Sequence, residues 1–462
     1  MAAGTASSAL TTEELDRRTL LHPLTNVHDY AAGPVPSQRV IAHGDGVRIT
    51  DHRGKTVIDG FSGLYCVNVG YGRASIAQAM ADQSRDLSFY HVFAGATHGP
   101  AIALGARLLA MAGPGMQRVF FGLSGSDANE TQVKLVWYYN NVRGKPTKKK
   151  IIARQRGYHG ATIMAGSLTG IPMYHDGFDL PFALVKHTTA PDFFWAPEEE
   201  EHAFSQRCAD ELDQLIRAEG PDTVGAFIAE PVIGTGGIVP PPAGYWAAIQ
   251  AVLKQHDVLL IMDEVVTAFG RVGPMFASPL WGIEPDLITV AKGLTSGYAP
   301  LSAVLVGTRV WDALQAGSEA HGLFGHGYTY SAHPMCAAAA MANLDILEQE
   351  RLGDNAVTVG AYLRAQLTAR LGTHRLVGEI RGVGMLAAVE FIAPDAPRRH
   401  LPKSAKFSSR VAALALEEGL LARPLPYGDI IGLAPPLILT PADADEAVAA
   451  LGRAVDRATT EL

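Results

Sequence analysis

Short apolar runs alternate with helix-like stretches through the middle of this 462-residue chain, and this alternation limits the folds open to it. Each run is short and ends in polar or glycine-rich sequence, as buried strands do. Strands separated by helices predict an α/β fold, in which helices cover both faces of a mostly parallel sheet. The predicted strands are 119–121, 150–154, 224–229, 258–262 and 286–291, and the predicted helices include 128–139 and 245–256.

Polar side chains stand at or just beyond the ends of these predicted strands. They are Ser126, Tyr158, Glu230, Asp263 and Lys292. In open α/β sheets, ligands bind outside the carboxyl ends of the strands. We therefore expect these five side chains to meet at one edge of the sheet.

The C-terminal part of the chain has a different pattern. Helical stretches there alternate with strand-like pieces at 385–391 and 430–433, which predicts a smaller α/β domain. We divide the chain into an N-terminal segment (1–72), a large domain (73–335) and a C-terminal small domain (336–462). The N-terminal segment is expected to join the small domain and to contribute to the entrance of the site.

Charge and cysteine content argue against several classes of protein. A formal net charge of −8 gives no basic face for nucleic acid. Three scattered cysteines give no disulfide framework and indicate a reducing compartment. The N-terminal residues lack the apolar core of a signal peptide, and no apolar run reaches the ~20 residues that a membrane span needs. We expect a cytoplasmic protein without nucleic-acid or membrane partners.

The loop 124–130, Ser-Gly-Ser-Asp-Ala-Asn-Glu, follows a predicted strand and opens a predicted helix. Free backbone N–H groups and the positive end of the helix dipole make such a loop a site for an anion such as phosphate. A Ser/Asp helix cap without a ligand accounts for the same residues. The loop alone leaves both interpretations open.

The strand before Asp263 and Glu264 could end in a magnesium site of a nucleoside triphosphatase. That interpretation needs a Gly-x-x-x-x-Gly-Lys-[Ser/Thr] loop, which does not occur in the sequence. Residues 234–237, Gly-Thr-Gly-Gly, also fail the spacing of a dinucleotide-binding loop. Asp263 therefore serves another purpose or caps the turn that follows it.

Lys292 ends the predicted strand 286–291. Burying an ammonium group is costly unless the group is paired or neutral. Desolvation lowers the pKa of a lysine and makes its amine a nucleophile toward carbonyl groups. A side chain that extends to solvent is the alternative.

Together these parts match the requirements of pyridoxal phosphate (PLP). A lysine holds the aldehyde, a helix N-terminus holds the phosphate, and an acid pairs with the pyridine nitrogen so that the ring accepts electrons. The flat face of Tyr158 can stack on that ring. A PLP enzyme accounts for the loop, the acid, the tyrosine and the lysine together, whereas each alternative given above accounts for only one of them.

The sequence resembles the class III pyridoxal-phosphate-dependent aminotransferases, specifically the omega-amino acid:pyruvate and amine:pyruvate transaminase group. The similarity extends from about His28 to the C-terminus. It implies the fold type I architecture of PLP-dependent transferases and a homodimer, or a tetramer, with active sites at the subunit interface. The segments that carry it are 63–73, 124–130, 158–160, 263–271, 291–293, 327–331 and Arg423-Pro424.

The resemblance also implies roles for residues around the cofactor ring. Lys292 would form the Schiff base and carry the proton during catalysis. Asp263 would bind the pyridine nitrogen. Val265 and Tyr158 would flank the ring.

Further residues are implied at the cofactor phosphate. Gly125 and Ser126 would hold the phosphate of their own subunit, and Thr329 would reach the phosphate of the partner subunit's cofactor. His159 and Gly160 are expected to support Tyr158 rather than to contact the cofactor. The loop has Asp127 and Glu130 where many relatives have glutamate and aspartate, which keeps the charge at both positions.

The resemblance matches Arg423 to a mobile arginine that clamps a substrate carboxylate and swings out for substrates that lack one. A surface arginine in a loop is the alternative. Glu230 matches a position beside the cofactor, where a carboxylate can neighbour or pair with this arginine.

Several pocket positions depart from the family pattern. Tyr65 stands where many amine-active relatives have tryptophan, and Val266 stands where relatives specific for amino acids often have glutamine. Tyr65, Phe89 and Tyr90 could line an aromatic pocket for an extended amine. For Phe89 and Tyr90, packing in the core or at an interface is an equal alternative.

The resemblance predicts an aminotransferase that moves an amino group from a primary amine or omega-amino acid to a keto acid, with pyruvate as acceptor and ping-pong kinetics. An aminomutase or decarboxylase of the same class uses the same residues, and a non-catalytic PLP-binding protein is a more distant alternative. A metal enzyme is not indicated, because the sequence has no His-x-x-x-His or Cys-x-x-Cys pattern.

Overall fold

The computed structural model describes residues 10–33, 35, 39–196, 198–394 and 398–462. Residues 1–9 of the predicted N-terminal segment lie outside the described residues. The strands are β1 (Ile41–Asp45), β2 (Arg48–Asp51), β3 (Thr56–Asp59), β4 (Met116–Gly122), β5 (Lys150–Arg154), β6 (Val185–Thr188), β7 (Val224–Ala229), β8 (Leu259–Asp263), β9 (Leu287–Val290), β10 (Ser302–Gly307), β11 (Val377–Val383), β12 (Leu386–Phe391), β13 (Leu420–Leu421), β14 (Arg423–Pro424) and β15 (Ile430–Leu433).

Helices connect these strands and cover the sheets. They are α1 (Thr12–Thr19), α2 (Val27–Ala32), α3 (Ser62–Tyr65), α4 (Ala74–Asp86), α5 (Gly99–Ala112), α6 (Gly125–Val142), α7 (Ile163–Leu168), α8 (Glu201–Glu219), α9 (Tyr245–Gln255), α10 (Thr308–His321), α11 (Pro334–Gln349), α12 (Leu352–Leu371), α13 (Phe407–Glu417) and α14 (Pro441–Thr460). Within the described ranges, no helix combines the length and apolar character that a membrane span requires.

A seven-stranded sheet forms the centre of the molecule, in the order β4-β10-β9-β8-β7-β5-β6. Strand β10 runs antiparallel to both of its neighbours, and the pairs from β9 to β6 are parallel. Every residue of β7, β8 and β9 is buried, because helices cover both faces of the sheet. The mostly parallel sheet predicted from the sequence is confirmed.

Helix α6 begins at the site because its first turn is capped by its own sequence. The Ser124 hydroxyl accepts a hydrogen bond from the Asp127 N–H, and the Asp127 side chain accepts one from the Ser124 N–H. Ser302 on β10 also donates to Asp127 at 3.0 Å, which ties the start of the helix to the sheet. The N-terminus of α6 is therefore held at the carboxyl edge of the sheet.

Two four-stranded sheets lie outside the central one, in the orders β1-β2-β3-β13 and β11-β12-β15-β14. Strand β13 pairs in parallel with β3, so the first of these sheets combines N-terminal and C-terminal sequence. This is the smaller α/β unit built from both termini that the sequence predicts. The predicted domain boundary after residue 335 falls inside α11, and the residue bounds of the three domains stay a prediction.

Candidate active site

A cavity of about 450 Å³ opens at the carboxyl edge of the central sheet. It lies beyond the ends of β5, β7, β8 and β9, where the sequence places its polar side chains. Ser126, Tyr158, Glu230, Asp263 and Lys292 all line its wall. The structure therefore brings together the five side chains at the strand ends, and Gly125 and Val265 line the same cavity.

Lys292 lies two residues beyond the end of β9 and lines the cavity, and its Nζ atom is 5.8 Å from the ring centroid of Tyr65. Its φ of 40° is in the left-handed region, where a residue with a side chain is strained, as is common at functional sites. Burial lowers the pKa of its amine, while the charges of Asp263 and Glu230 oppose that shift. A lowered pKa enlarges the neutral fraction, which is the form that acts as a nucleophile or base.

Asp263 ends β8 and is held by three hydrogen bonds. Its Oδ2 atom accepts from Asn129 Nδ2 at 2.8 Å and from His159 Nδ1 at 2.9 Å, and its Oδ1 atom accepts from the Val265 N–H at 3.1 Å. Asn129 is fixed in turn by the hydroxyl of Thr289, at 2.8 Å. The carboxylate at the cavity wall therefore has one defined orientation.

Sequence reasoning assigned no function to Asn129 and made His159 a support for Tyr158 alone. In the structure both residues also hold Asp263, and both line the cavity. Their positions give a weak signal, since Asn129 lies in the first turns of α6 and His159 stands at a strand end. Only the fold shows that these two segments meet over the same carboxylate.

The N-terminus of α6 forms an open cradle for an anion. Ser124, Gly125 and Ser126 line the cavity, and the Ser126 hydroxyl accepts a hydrogen bond from the Ala161 N–H at 3.1 Å. A Cβ atom on Gly160 would lie 2.5 Å from Ser126 Oγ, so only glycine fits there. Backbone N–H groups and the helix dipole make this cradle suitable for a phosphate group.

Tyr158 and Glu230 form one wall of the cavity. The Tyr158 N–H donates to Glu230 Oε1 at 3.1 Å, and the Gly234 N–H donates to Oε2 at 2.8 Å. Burial raises the pKa of Tyr158 to about 12, and burial also raises the pKa of Glu230. Among the described residues no ion pair joins Glu230 to Arg423, so of the two expected relations, neighbour or pair, the paired one is not seen.

Arg423 lies on β14 beside the site. Its guanidinium carbon is 5.3 Å from the ring centroid of Phe61, and its charge opposes the burial that raises the pKa of Tyr65 and of Tyr158. In the described part of the chain, no carboxylate is paired with Arg423.

Tyr65 is 2% exposed, and its hydroxyl has no hydrogen-bond partner among the described residues.

Besides Tyr65 and Arg423, three further predicted site residues do not line the cavity of this chain. Thr329 is exposed, and Phe89 and Tyr90 are 38% and 48% exposed. Phe89 packs against Tyr330 and His333, with 5.6 Å between ring centroids in both cases. Within a single chain these three residues therefore do not line the pocket, and their predicted roles stay predictions.

A family model described as aminotransferase class-III matches residues 30–455. The chain belongs to the class III aminotransferases. It is 53% identical over 451 residues to the diaminobutyrate–2-oxoglutarate transaminase of Halomonas elongata, covering 97% of this chain and 96% of that protein. It is 42% identical over 419 residues to the mitochondrial gamma aminobutyrate transaminase 1 of Solanum lycopersicum, covering 90% of this chain and 81% of that protein.

The fold of this class III aminotransferase is also that of solved transaminases. The omega transaminase from Pseudomonas jessenii in complex with PMP superposes with a TM-score of 0.94 at 40% identity, covering 98% of this chain and 99% of that one. The fold type I architecture predicted from the sequence is therefore confirmed. Class III aminotransferases use PLP, and PLP is the cofactor of this chain.

The residues at the cavity suit this cofactor. Ser126 and the first turn of α6 would hold the phosphate in the cradle that Gly160 leaves open. Asp263 would pair with the ring nitrogen, and the amine of Lys292 would hold the aldehyde carbon. When bound, PLP supplies an electron-accepting ring that stabilises the negative charge left when a proton leaves the substrate carbon. The chain is a PLP-dependent transaminase.

Proposed function

We propose that this transaminase takes an amino group from a primary amine or omega-amino acid and gives it to pyruvate. The donor and the acceptor occupy the same cavity in turn, so the kinetics are ping-pong. In this scheme Lys292 removes the proton from the carbon that bears the donor's amino group. It returns the proton when the acceptor is aminated.

The observation that carries the proposal is the guanidinium of Arg423, which lies beside the cavity with no carboxylate partner among the described residues. Arginine binds carboxylates through two parallel hydrogen bonds. Arg271 also lies near Tyr65, but its Nη atoms already donate to Pro435 O, Ser62 Oγ and Asn68 Oδ1. Of the two described arginines whose charge acts on Tyr65, Arg423 is therefore the one available to a substrate carboxylate.

One available arginine next to Tyr65, among the described residues, favours a monocarboxylate such as pyruvate over a dicarboxylate. 2-Oxoglutarate has two carboxylates, and it is the acceptor named for the Halomonas relative. Since Arg271 is committed to its own contacts, a second carboxylate would lack a partner of comparable strength. We therefore propose pyruvate as the preferred acceptor and 2-oxoglutarate as the second candidate.

The donor follows from the same contacts. An omega-amino acid can present its amine to Lys292 and its distant carboxylate to Arg423. The buried rings of Phe61 and Tyr65, with centroids 4.3 Å apart, lie next to Arg423 and Lys292 and make this side of the site apolar, which favours the carbon chain of a donor without a carboxylate. Diaminobutyrate and gamma-aminobutyrate, which appear in the names of two relatives, are omega-amino acids that carry such a carboxylate.

We also propose that the active enzyme is a homodimer. Phe89, Tyr90 and Tyr330 form an exposed aromatic patch next to the exposed Thr329, and such patches mark interaction sites. A second copy that covers this patch would bring Thr329 to the phosphate of its partner's cofactor. Size-exclusion chromatography with light scattering should give about 98 kDa, twice the 49.0 kDa of one chain. A monomer that retains activity would contradict the proposal.

A panel of donors against two acceptors tests the proposed reaction. 4-Aminobutyrate, 2,4-diaminobutyrate, β-alanine and benzylamine are each combined with pyruvate or 2-oxoglutarate, and alanine and glutamate are measured. We expect alanine to form faster than glutamate with at least one omega-amino acid. If glutamate forms and alanine does not, the acceptor is 2-oxoglutarate and not pyruvate. Release of CO2, or an isomer of the donor with no new amino acid, would indicate a decarboxylase or an aminomutase.

A further inference from the structure

Two buried guanidinium groups donate hydrogen bonds to the backbone of residues 234–237. The sequence of these residues, Gly-Thr-Gly-Gly, fits no nucleotide-binding motif. Arg156 Nε donates to Gly236 O at 2.9 Å, and Arg381 Nη2 donates to Gly237 O at 2.7 Å. A Cβ atom on Gly237 would lie 2.4 Å from Arg156 Nη2 and 3.2 Å from Arg381 Nη2. The glycines are therefore required because two arginine side chains approach the same stretch of backbone.

The two arginines come from different sheets. Arg156 follows β5 of the central sheet and forms a buried ion pair with Asp192. Arg381 lies on β11 and forms ion pairs with Glu390 and with Glu379. Removing one partner of a buried ion pair is strongly unfavourable, so such pairs hold one arrangement. The glycine loop is thus a junction that fixes the C-terminal sheet against the central sheet.

The hairpin that carries Arg423 reaches the same junction. Strands β14 and β15 pair antiparallel, with Arg423 opposite Gly432, and Tyr427 lies in the turn between them. The guanidinium carbon of Arg156 is 4.2 Å from the ring centroid of Tyr427. This distance is within the range of a cation–π interaction. The Tyr427 ring therefore links the tip of the hairpin to the residue that follows β5 of the central sheet.

This attachment lies close to the wall of the active site. Arg156 precedes Tyr158 by two residues, and the glycine loop contains Gly234, whose N–H donates to Glu230. Arg423 stands at the other end of the hairpin strand, over Phe61. A shift of the hairpin tip would consequently move the guanidinium of Arg423 relative to the cavity.

We propose that Tyr427 is a positioning residue for Arg423. By packing on Arg156, it holds the hairpin where Arg423 meets a substrate carboxylate, and so it sets how strongly the enzyme prefers substrates that carry one. The inference rests on the proposed function, in which Arg423 binds the carboxylate. Tyr427 touches neither substrate nor cofactor in this role.

The test separates substrates with and without a carboxylate. The cofactor-loaded enzyme is mixed with β-alanine or with benzylamine, and the visible absorbance of the bound cofactor is followed through a single turnover. Propionate, a carboxylate without an amino group, is titrated as a competitive inhibitor. For Tyr427→Leu we expect the half-saturating β-alanine concentration and the propionate inhibition constant to rise about fivefold, as the loss of a cation–π contact predicts. The benzylamine reaction should change by less than about twofold.

Two variants serve as controls, and a third is a substitute for Tyr427→Leu. Tyr427→Phe keeps the ring and should behave like the wild type. Tyr362→Leu makes the same exchange at a half-buried tyrosine on α12 and should leave both substrates unaffected. Tyr427→Gln, which has no aromatic ring, replaces the leucine variant if that protein does not fold.

The Arg423→Ala variant distinguishes an error in the proposed carboxylate site from an error in the proposed role of Tyr427. If this variant binds propionate as the wild type does, the proposed carboxylate site is wrong, whatever Tyr427 does. If Arg423→Ala weakens propionate binding and Tyr427→Leu does not, the carboxylate site stands and the positioning role is wrong. Equal losses with β-alanine and benzylamine in Tyr427→Leu would also overturn that role, because they indicate a general structural defect.

Discussion

The Nδ1 atom of His159 lies 2.9 Å from Oδ2 of Asp263, and both side chains are almost completely buried. The same oxygen accepts from Asn129 at 2.8 Å. Two N–H donors on one oxygen fix the rotation of the carboxylate, because any rotation breaks both bonds. The acid that would face the cofactor ring is therefore oriented before the cofactor binds.

This relationship predicts that His159→Leu lowers the single-turnover rate about tenfold, since a hydrogen bond to a charged group contributes ~1.5–3 kcal/mol. His159→Asn can present an amide N–H near the position of Nδ1 and should retain most of the rate. Stopped-flow absorbance with 4-aminobutyrate measures both variants. Equal losses in the two would mean that the imidazole acts through its shape and not through its donor.

Gly160→Ala should weaken the binding of PLP. The added Cβ atom would lie 2.5 Å from Ser126 Oγ and 2.8 Å from Ala165 Cβ, at a φ of 132° that disfavours a side chain. Overpacking typically costs ~1–3 kcal/mol, so the dissociation constant for PLP should rise about tenfold or more. Gly115→Ala is the matched control, because nothing lies within 4 Å of its added Cβ atom. An absorbance titration of the apo-protein with PLP gives both constants, and an unchanged constant for Gly160→Ala would contradict the assignment of the cradle.

The central sheet was largely predictable because its strands are short apolar runs between polar ends. Strands β5 and β7 begin and end at the predicted residues. Strand β10 was not predicted, and nothing local marks it as the antiparallel member, since Ser302–Gly307 is as completely buried as the parallel strands β7, β8 and β9 of the same sheet. Strand direction depends on the path of the chain and not on the composition of the strand.

The site was predictable only where chemistry and strand end coincide, as at Asp263 and Lys292. The contacts that orient Asp263 join residues 134 and 104 positions apart, and short-range patterns carry no information about such pairs. The contact of Tyr427 with Arg156 is of the same kind. Sequence reasoning therefore found the reactive groups and missed the residues that hold them.

Glu230→Gln should destabilise the protein. Both carboxylate oxygens of Glu230 accept backbone N–H groups, from Tyr158 and Gly234, and the amide of glutamine would place an N–H against one of these donors. An unsatisfied buried donor costs ~1–3 kcal/mol, so the midpoint of urea unfolding should fall. Glu199→Gln weakens a surface ion pair with Arg207 and should leave the midpoint of urea unfolding almost unchanged. Equal midpoints for the two variants would show that the Glu230 contacts contribute little.

Lys292→Met should stabilise the apo-protein, because it removes the cost of burying an ammonium group, while the backbone strain at this position is the same for both residues. Burial lowers the pKa of Lys292 in the folded state below its ordinary value of 10.5. Between the folded pKa and 10.5, the unfolded chain binds a proton that the folded protein does not. The wild type therefore gains stability as the pH rises through this window, whereas methionine has no charge to bury.

The advantage of Lys292→Met should consequently be largest below the folded pKa and should shrink as the pH approaches 10.5. Urea unfolding midpoints of the apo-proteins between neutral and alkaline pH measure this difference. Lys55→Met makes the same exchange at an exposed lysine and is the control for the change of side chain itself. A pH-independent difference for Lys292→Met would mean that burial does not shift the pKa of this amine, and the argument for its reactivity in the apo-protein would fail.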